Sequence, residues 1–359
     1  MVNVQEEIIY NRNQLKQSIT DRIERTFPAY FFHWMGRFIQ KIFGLQKPLP
    51  WAVNAFSLCI LVFTPGLLVA IITGGIRDWD KASWTLLGIY IYAYIAPIVS
   101  HVNVTHNLLP RIRDEIVEFI QTTDDINKLS NWFDQFFSLR DWFISMLFGG
   151  IVFFMLMFPY MKSNVGMMVV SLSVSTFFSI PFWVIFKVLT LPNELSKYNF
   201  LLYELNPSKS EVVQRLIDIL NDYFYIVALY VTGATVIASF HPSMRDLLWI
   251  CLFFGWGPSI TQFFINQRSI QKIIANGKWR TLNLLQEQVR QLKATSPSDT
   301  SGETILRINQ LMDFHDRVSA TPDTLLNISV WGSLLQQLFL PLLALILGNF
   351  DSIIKMLIR

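Results

Sequence analysis

The sequence predicts an all-α, polytopic bundle of about seven membrane-crossing helices, with helical extensions that form a layer on the cytoplasmic side. Of its 359 residues, 52% are hydrophobic and only 15% are charged, well below the charged share of about a quarter in soluble domains. Seven apolar runs approach or exceed the roughly 20 residues that a helix needs to cross a bilayer. These runs are continuously apolar, whereas the strands of a membrane barrel alternate between apolar and polar residues.

Six of the runs qualify cleanly as crossings. Several begin or end on Trp or Tyr, the side chains that favour the membrane interface. They are Trp51 to Thr73, Trp84 to Ser100, Trp142 to Tyr160, Gly166 to Thr190, Tyr223 to Phe240 and Leu247 to Phe264. A seventh candidate, Leu326 to Gly348, follows near the end of the sequence.

Basic residues orient the predicted bundle. With the N-terminus in the cytoplasm, 23 of the 29 Lys and Arg residues fall on the inner side, as the positive-inside rule requires. If the seventh run does not cross, the number becomes 25 of 29. The charge distribution therefore does not decide whether the seventh run crosses the membrane. We therefore predict a multi-pass protein of the plasma or inner membrane, with the lipid bilayer as its surroundings. We expect no cleavable signal peptide, because the first long apolar run starts only at Trp51.

The chain divides into an N-terminal segment, residues 1–50, and the transmembrane bundle, residues 51–359. The N-terminal segment is predicted to form cytoplasmic and interfacial amphipathic helices. One face of its second helix is aromatic and aliphatic, and it carries Phe31, Trp34, Phe38 and Ile42. Such a helix either lies in the inner membrane interface or packs against the cytoplasmic layer.

Three internal segments show helical periodicity and are predicted to extend the bundle into the cytoplasm: residues 101–141, 191–222 and 265–325. The apolar faces predicted in the first two are Ile112, Ile116 and Phe119, and Val213, Leu216, Ile217 and Leu220. The connections on the outer side are short. This layout resembles that of ion channels whose helices extend into a cytoplasmic anchor, insect chemoreceptor channels among them. The resemblance is one of layout, without a shared motif.

Two local signals inside these segments predict helix ends. Ser208 and Glu211 have the spacing of a capping box, in which each side chain satisfies a backbone amide at the start of a helix. The pair Asn276-Gly277 predicts a stop or a tight turn after the sixth crossing.

Residues that would indicate an enzyme, a metal site or a cofactor are not found in any recognised pattern. The sequence has no H-E-x-x-H, no G-x-S-x-G and no Walker loop, and its five histidines are scattered. Cys59 and Cys251 both lie in apolar runs, where a thiol behaves as a small hydrophobe. A net charge of +3 gives no indication of a nucleic-acid partner. Lys187 is the only charged residue well inside a run, near an end from which it can reach the interface, so proton-coupled transport lacks its usual signature.

Uncharged polar side chains form stripes on four predicted crossings, with neighbours three or four residues apart and therefore on one helix face. The stripes are Ser171, Ser175 and Ser179; Tyr90, Tyr94, Pro97 and His101; Thr232, Thr235 and Ser239; and Gly255, Ser259, Gln262 and Asn266. Packing between helices is the favoured explanation, because small and hydroxyl residues let helices approach and hydrogen-bond. The alternative is that a stripe faces water.

The clearest functional signal is the stretch LLQQLFLPLLALILGNF in the seventh run. One face of this helix carries Ser329, Ser333 and Gln336, flanked by Gln337, and continues with Leu340, Ala344 and Leu347. The polar residues are predicted to line a pore, and the apolar ones to form a constriction that gates by dewetting. Pro341 lies at the junction and is predicted to act as a hinge, because it lacks an amide. In the alternative, the two glutamines bond to neighbouring helices and the apolar part, too short to cross, is re-entrant or interfacial.

We therefore expect an integral membrane channel or pore, formed by a homo-oligomer, that conducts a small ion or solute and has the C-terminal helix lining the conduit. We expect no enzymatic activity and no cofactor. The alternative is a non-conducting scaffold or sensor that recruits a soluble partner through its cytoplasmic helices. A lipid-modifying or lipid-binding enzyme ranks last, because no nucleophile, metal set or acid-base pair is recognisable.

Overall fold

The computed structural model describes residues 2–23, 27–44, 51–73, 81–160, 165–239, 257–295 and 302–322. This part of the chain is all-helical, with 90% of it in helices and no strand, which confirms the predicted all-α class. Among the residues described in full, no single helix has both the length and the hydropathy to cross a membrane alone. One pair of helices, Thr123–Phe136 and Leu139–Met155, meets the requirement together across a 48° bend.

Ten long helices make up most of the described chain. They are α1 Val2–Ile23, α2 Phe27–Phe43, α3 Trp51–Ile72, α4 Lys81–Asn103, α5 Thr123–Phe136, α6 Leu139–Met157, α7 Val165–Leu195, α8 Glu211–Ser239, α9 Gly257–Thr295 and α10 Gly302–Ser319.

Helix α4 continues without a loop into wider and then tighter turns. Two π-helical segments, Val104–Leu108 and Ile112–Ile116, flank the single turn Leu109–Arg111, and the 3-10 turn Val117–Phe119 follows. Pro110 has no amide to donate to the preceding turn, and the change in winding falls around it. The face predicted from Ile112 and Ile116 is nevertheless fully buried.

The main hydrophobic core lies in what we call the core layer. It comprises α1, residues 104–119, α5, the last turns of α7, the first turns of α8 and the turns of α9 around Ile270 and Ile274. Buried members include Leu15, Ile19, Ile116, Leu129, Phe133, Phe136, Leu191, Val213, Leu216 and Ile273. The core layer therefore joins α1 to the three internal segments that the sequence predicted to be cytoplasmic. The division of the chain at residue 50 stays a prediction.

Helix α1 is fastened to the core layer by polar contacts as well as by Leu15 and Ile19. The Arg12 guanidinium donates to the carbonyl of Ile120, with an Nε to O distance of 3.1 Å. Lys16 pairs with Glu118 at 2.6 Å. By contrast, α2 buries Met35 and leaves its predicted apolar face exposed at Trp34, Phe38 and Ile42.

A buried carboxylate joins two parts of the core layer that are 74 residues apart in sequence. Asp125, only 2% exposed, accepts hydrogen bonds from the backbone amide of Asn199 at 2.9 Å and from its side-chain amide at 3.0 Å. The Asp125 amide in turn donates to the Thr122 hydroxyl, which caps α5. Burial opposes ionisation, but the hydrogen bonds from Asn199, Thr122 and Lys128 outweigh it and lower the pKa of Asp125. Beside it, Ile120 and Phe200 form an isolated antiparallel bridge.

Two predicted helix ends are wrong. Helix α8 begins at Glu211, after the 3-10 turn Pro207–Lys209, and the Ser208 hydroxyl donates to Asn206 at 2.6 Å instead of capping a helix. Helix α9 runs through Asn276-Gly277 without a break. A Cβ at position 277 would overlap the Leu202 side chain, so this glycine allows a close approach between segments and does not terminate the helix.

Helices α3 and α7 cross through small residues. Gly66 and Ala70 on α3 face Val170 and Gly166 on α7, each pair four residues apart on its own helix. A Cβ on Gly66 would lie 2.8 Å from the Val170 backbone nitrogen, and one on Gly166 would lie 2.8 Å from the Ala70 Cα. These contacts involve backbone atoms, so the two helices would have to move apart to accept a side chain.

We predict that Asp125→Asn lowers the free energy of unfolding by about 2 to 3 kcal/mol at pH 7, because it removes charge-assisted hydrogen bonds to a buried group. The folded-state pKa of Asp125 lies below its value in the unfolded chain. Its stabilisation is therefore complete above the unfolded pKa of about 3.9 and is lost as the pH falls through the folded pKa. Thermal unfolding in detergent should thus show the gap between wild type and variant closing below about pH 4.

Asp124→Asn is the matched control for this measurement. Asp124 is the neighbouring residue in the same first turn, 76% exposed and paired only with Lys128 on the surface at 2.5 Å. Its replacement should cost less than about 1 kcal/mol. Equal losses from the two variants would contradict a special role for Asp125.

We also predict opposite effects of two Gly→Ala substitutions within helices. Gly66→Ala should destabilise the fold by about 1 to 3 kcal/mol, because the new methyl group collides with the α7 backbone. Gly88→Ala in α4 meets nothing within 4 Å and should stabilise it by up to about 1 kcal/mol through helix propensity. Melting temperatures in detergent would test the signs, and a stabilising Gly66→Ala would refute the close crossing.

Candidate functional site

The pore residues predicted from the sequence lie outside the described residues, so their roles stay predictions. This applies to the pore-lining set Ser329, Ser333, Gln336 and Gln337, to the constriction Leu340, Ala344 and Leu347, and to the hinge Pro341. The structure does describe the residues that lead into this segment, up to residue 322.

Lys278 forms a hydrogen bond with the chain just before that segment. Its side chain is buried on α9, and its ammonium group donates to the carbonyl oxygen of Thr321 at 2.7 Å. The Thr321 hydroxyl donates to the carbonyl of Val318 at 2.7 Å, which closes the end of α10. The described chain that leads towards the predicted pore helix is therefore attached to α9 at Thr321. Nothing in the sequence indicates this contact, because a single lysine in an amphipathic helix normally faces water.

The serine stripe on α7 and the tyrosine stripe on α4 meet each other. Tyr90 and Ser171 are both fully buried, and their hydroxyl oxygens are 2.7 Å apart. Ser175 donates to the carbonyl of Ser171 at 2.6 Å. The packing explanation is therefore confirmed for Tyr90 and Ser171, whose hydroxyl groups satisfy each other between helices, while the Ser175 hydroxyl is satisfied within α7.

Lys187 is buried and partnered near the end of its run, and its predicted reach towards the interface stays a prediction. Its ammonium group lies 4.9 Å from the centre of the Trp183 ring and donates to the Gln135 side-chain oxygen at 3.3 Å. A cation-π contact and a hydrogen bond together compensate for its burial. This lysine is a structural contact between α7 and α5, which leaves it no evident role in conduction.

The stripe on α9 behaves differently. Gln262 is 0% exposed, and neither its Oε1 nor its Nε2 atom has a hydrogen-bond partner among the described residues. Asn266, one turn later and 4% exposed, has an unpartnered Oδ1 atom. A buried polar group without a partner costs roughly 1 to 3 kcal/mol, and native proteins contain few of them. Packing within the described helices does not explain this pair.

Other candidate sites are weak. A polar cavity of about 480 Å³ opens between α1 and α5. Its lining is mostly amide and hydroxyl side chains, from Asn11, Gln14, Gln17, Ser18, Asn127 and Ser130. Within the described ranges, no group of three or more His, Cys, Asp or Glu side chains is placed to hold a metal ion. The buried amides of α9 are therefore the most unusual polar feature of the described chain.

Comparisons of this chain with known protein families, with curated proteins and with solved structures find no match.

Proposed function

We propose that this chain is the subunit of a multi-pass membrane channel, a homo-oligomer in which the C-terminal helix lines the conduit. The observation that supports a membrane location most directly is the reversed polarity of α4 and α7. In a water-soluble protein, the apolar stripe of a surface helix faces the core and its polar side faces solvent. In a bilayer, polar side chains turn towards the bundle interior.

Helices α4 and α7 follow the second pattern. Among the described side chains of α4, the buried ones are Tyr90, Tyr94, His101 and Asn103, all with a polar group. Its exposed side chains are apolar: Trp84, and then Ile91, Ile95 and Val99 at every fourth position. On α7, Ser171 and Ser175 are buried together with valines such as Val170 and Val174, and Leu172 and Phe186 are exposed. Hydrocarbon is the environment in which such an outer surface is stable.

Apolar and charged surfaces are also separated along the chain. Helix α6 and the turn after it expose an apolar series within the predicted crossing, made up of Phe143, Ile144, Leu147, Phe148, Ile151, Met155 and Phe158. All of the described ion pairs lie outside the predicted crossings, in the core layer and in α10. This separation favours a bundle with one band in lipid and one layer in water.

Helix α2 fits the boundary between the two. Its exposed residues Trp34, Phe38 and Ile42 share one face, and Arg37 and Lys41 are exposed beside them. An apolar face flanked by basic side chains is typical of a helix that lies in the interface of an anionic leaflet. Of the two alternatives for this helix, the interfacial one is the better supported.

The hairpin of α9 and α10 supports assembly. It extends from the core layer and leaves large apolar side chains exposed, although the predicted topology puts it in water: Trp279, Leu284, Ile305, Leu306 and Met312. Exposed apolar surface of this kind usually marks a protein contact. The hairpin surface also carries both signs of charge, so a second copy of the chain is a suitable partner. Since Lys278 attaches the start of the C-terminal segment to this hairpin, subunit contacts here would bring the predicted pore helices towards a common axis.

A first prediction concerns topology. In a background with Cys59 and Cys251 replaced by alanine, a membrane-impermeant thiol reagent added to intact cells should label Lys162→Cys and leave Asp124→Cys and Gln288→Cys unlabelled until the cells are permeabilised. Ile151→Cys and Leu172→Cys should resist labelling in both conditions, because their exposed side chains would face lipid. Rapid labelling of the last two positions in intact membranes would contradict the membrane-embedded bundle.

A second prediction concerns conduction. In liposomes containing the reconstituted chain, ion flux should be blocked by the same reagent at Ser329→Cys, Ser333→Cys and Gln336→Cys, and more slowly at Leu340→Cys, which begins the constriction. Gln288→Cys, a matched control on the exposed side of α9, should react without changing the flux. An assembly mass in detergent should exceed that of one chain. A single-chain mass together with uniform protection from Ser329 to Leu347 would overturn the pore, and a captured soluble partner would then favour the scaffold.

A further inference from the structure

The amide pair on α9 has the properties of a binding site. Gln262 and Asn266 are four residues apart on one helix face, and both are more than nine-tenths buried. Three of their polar atoms, Gln262 Oε1, Gln262 Nε2 and Asn266 Oδ1, have no partner within the described ranges. The same interior pairs other polar groups without difficulty, as the Tyr90 and Ser171 hydroxyls show at 2.7 Å. The unpaired atoms therefore form a local cluster that a bound molecule would satisfy.

The atoms themselves define the chemistry of that molecule. Gln262 presents a free donor and a free acceptor on one side chain, and Asn266 adds a second acceptor. A metal cation would satisfy only the oxygens, and the described residues offer it no cluster of acidic or histidine ligands. An anion would satisfy only the donor. A neutral hydroxyl or amide compound both donates and accepts, as water does.

We propose that Gln262 and Asn266 form a hydrated binding site, inside the helical bundle, for small neutral molecules that donate and accept hydrogen bonds, with water and small polyols or ureas as the class. If the chain conducts, this site selects neutral solutes along the route. That second statement rests on the proposed channel function, whereas hydration of the site does not.

Hydration is tested directly by radiolytic labelling of the whole chain in detergent or nanodiscs. Water bound inside a protein produces hydroxyl radicals that modify the adjacent side chains even where bulk solvent does not reach. Phe263 is 4% exposed, lies three residues before Asn266 on the same side of α9, and has its ring 6.1 Å from that of Phe224. Its labelling should exceed that of the equally enclosed Phe133 in the core layer, and should fall to the Phe133 level in the double variant Gln262→Met with Asn266→Leu. Equal labelling of the two phenylalanines in the wild type would overturn the site.

Solute selection is tested by glycerol and urea entry into proteoliposomes, measured by light scattering beside an ion-flux assay. Gln262→Met keeps the length of the side chain but removes its donor and acceptor, and should slow glycerol entry about tenfold, the effect of one lost hydrogen bond. Gln288→Met, an exposed substitution on the same helix, should leave entry unchanged. The melting temperature of Gln262→Met should stay level or rise, because the substitution removes the amide and releases its bound water together, and replacing both hydrogen-bond partners with an apolar group of similar shape is neutral or stabilising. A fall would show that Gln262 has a structural partner and would contradict the proposal.

The two assays distinguish a failure of the proposed channel from a failure of the proposed neutral-solute site. Ion flux without glycerol or urea entry would preserve the channel and overturn the neutral-solute site. No flux of any kind would overturn the channel, and the radiolytic comparison of Phe263 with Phe133 would then decide the hydrated site by itself.

Discussion

The requirement that buried polar groups be paired governs both halves of this protein. In the bundle, hydroxyl groups on α4 and α7 turn inward and bond to one another, as Tyr90 does to Ser171, while aliphatic side chains turn outward. In the core layer, the buried carboxylate of Asp125 is compensated by two donors from Asn199. An unpaired polar group costs more than a pair gains, so these contacts fix which helix faces meet. The apolar contacts then fill the space around them.

The helices pack differently in the two regions. The core layer is a conventional hydrophobic core, with Leu, Ile, Val and aromatic side chains enclosed by charged surfaces. Between α3 and α7, contact depends instead on the absence of side chains at Gly66 and Gly166. Close backbone approach of this kind gains dispersion energy, which would be the main attraction between helices in the membrane setting that we propose. The change from one packing style to the other along α7 coincides with the end of its predicted crossing.

Much of the helical architecture follows from the sequence, because periodicity is a local property. The buried faces of residues 104–119 and of α8 match the predicted positions at Ile112, Ile116, Val213 and Leu216. The predictions of helix ends that proved wrong concern positions where contacts with distant residues decide the structure. Gly277 has the local features of a helix stop, but its role is to admit Leu202, 75 residues earlier in the sequence.

The candidate site was predictable only in part, for a related reason. The spacing of Gln262 and Asn266 marks a polar face, but spacing does not reveal whether that face finds partners. The same pattern on α4 and α7 is paired, and on α9 it has no partner within the described residues. Asp125 likewise looks like one of two equivalent acids until Asn199 is brought beside it. The proposed pore would depend further on contacts between subunits, which a polar pattern in one chain does not reveal.

Helix α9 connects these features physically. It is a single helix of 39 residues, about 58 Å long at 1.5 Å per residue. Gln262 lies near its start, the core-layer contacts of Ile270 and Ile274 follow, and Lys278 holds Thr321 beyond them. An uninterrupted helix transmits a tilt or a rotation along its length, because its backbone hydrogen bonds resist local bending. Passage through Asn276-Gly277 without a break therefore matters, since a stop there would separate the buried amides and the core layer from the contact that holds the entry to the C-terminal segment. Gln262 and the contact between Lys278 and Thr321 therefore lie on one continuous helix.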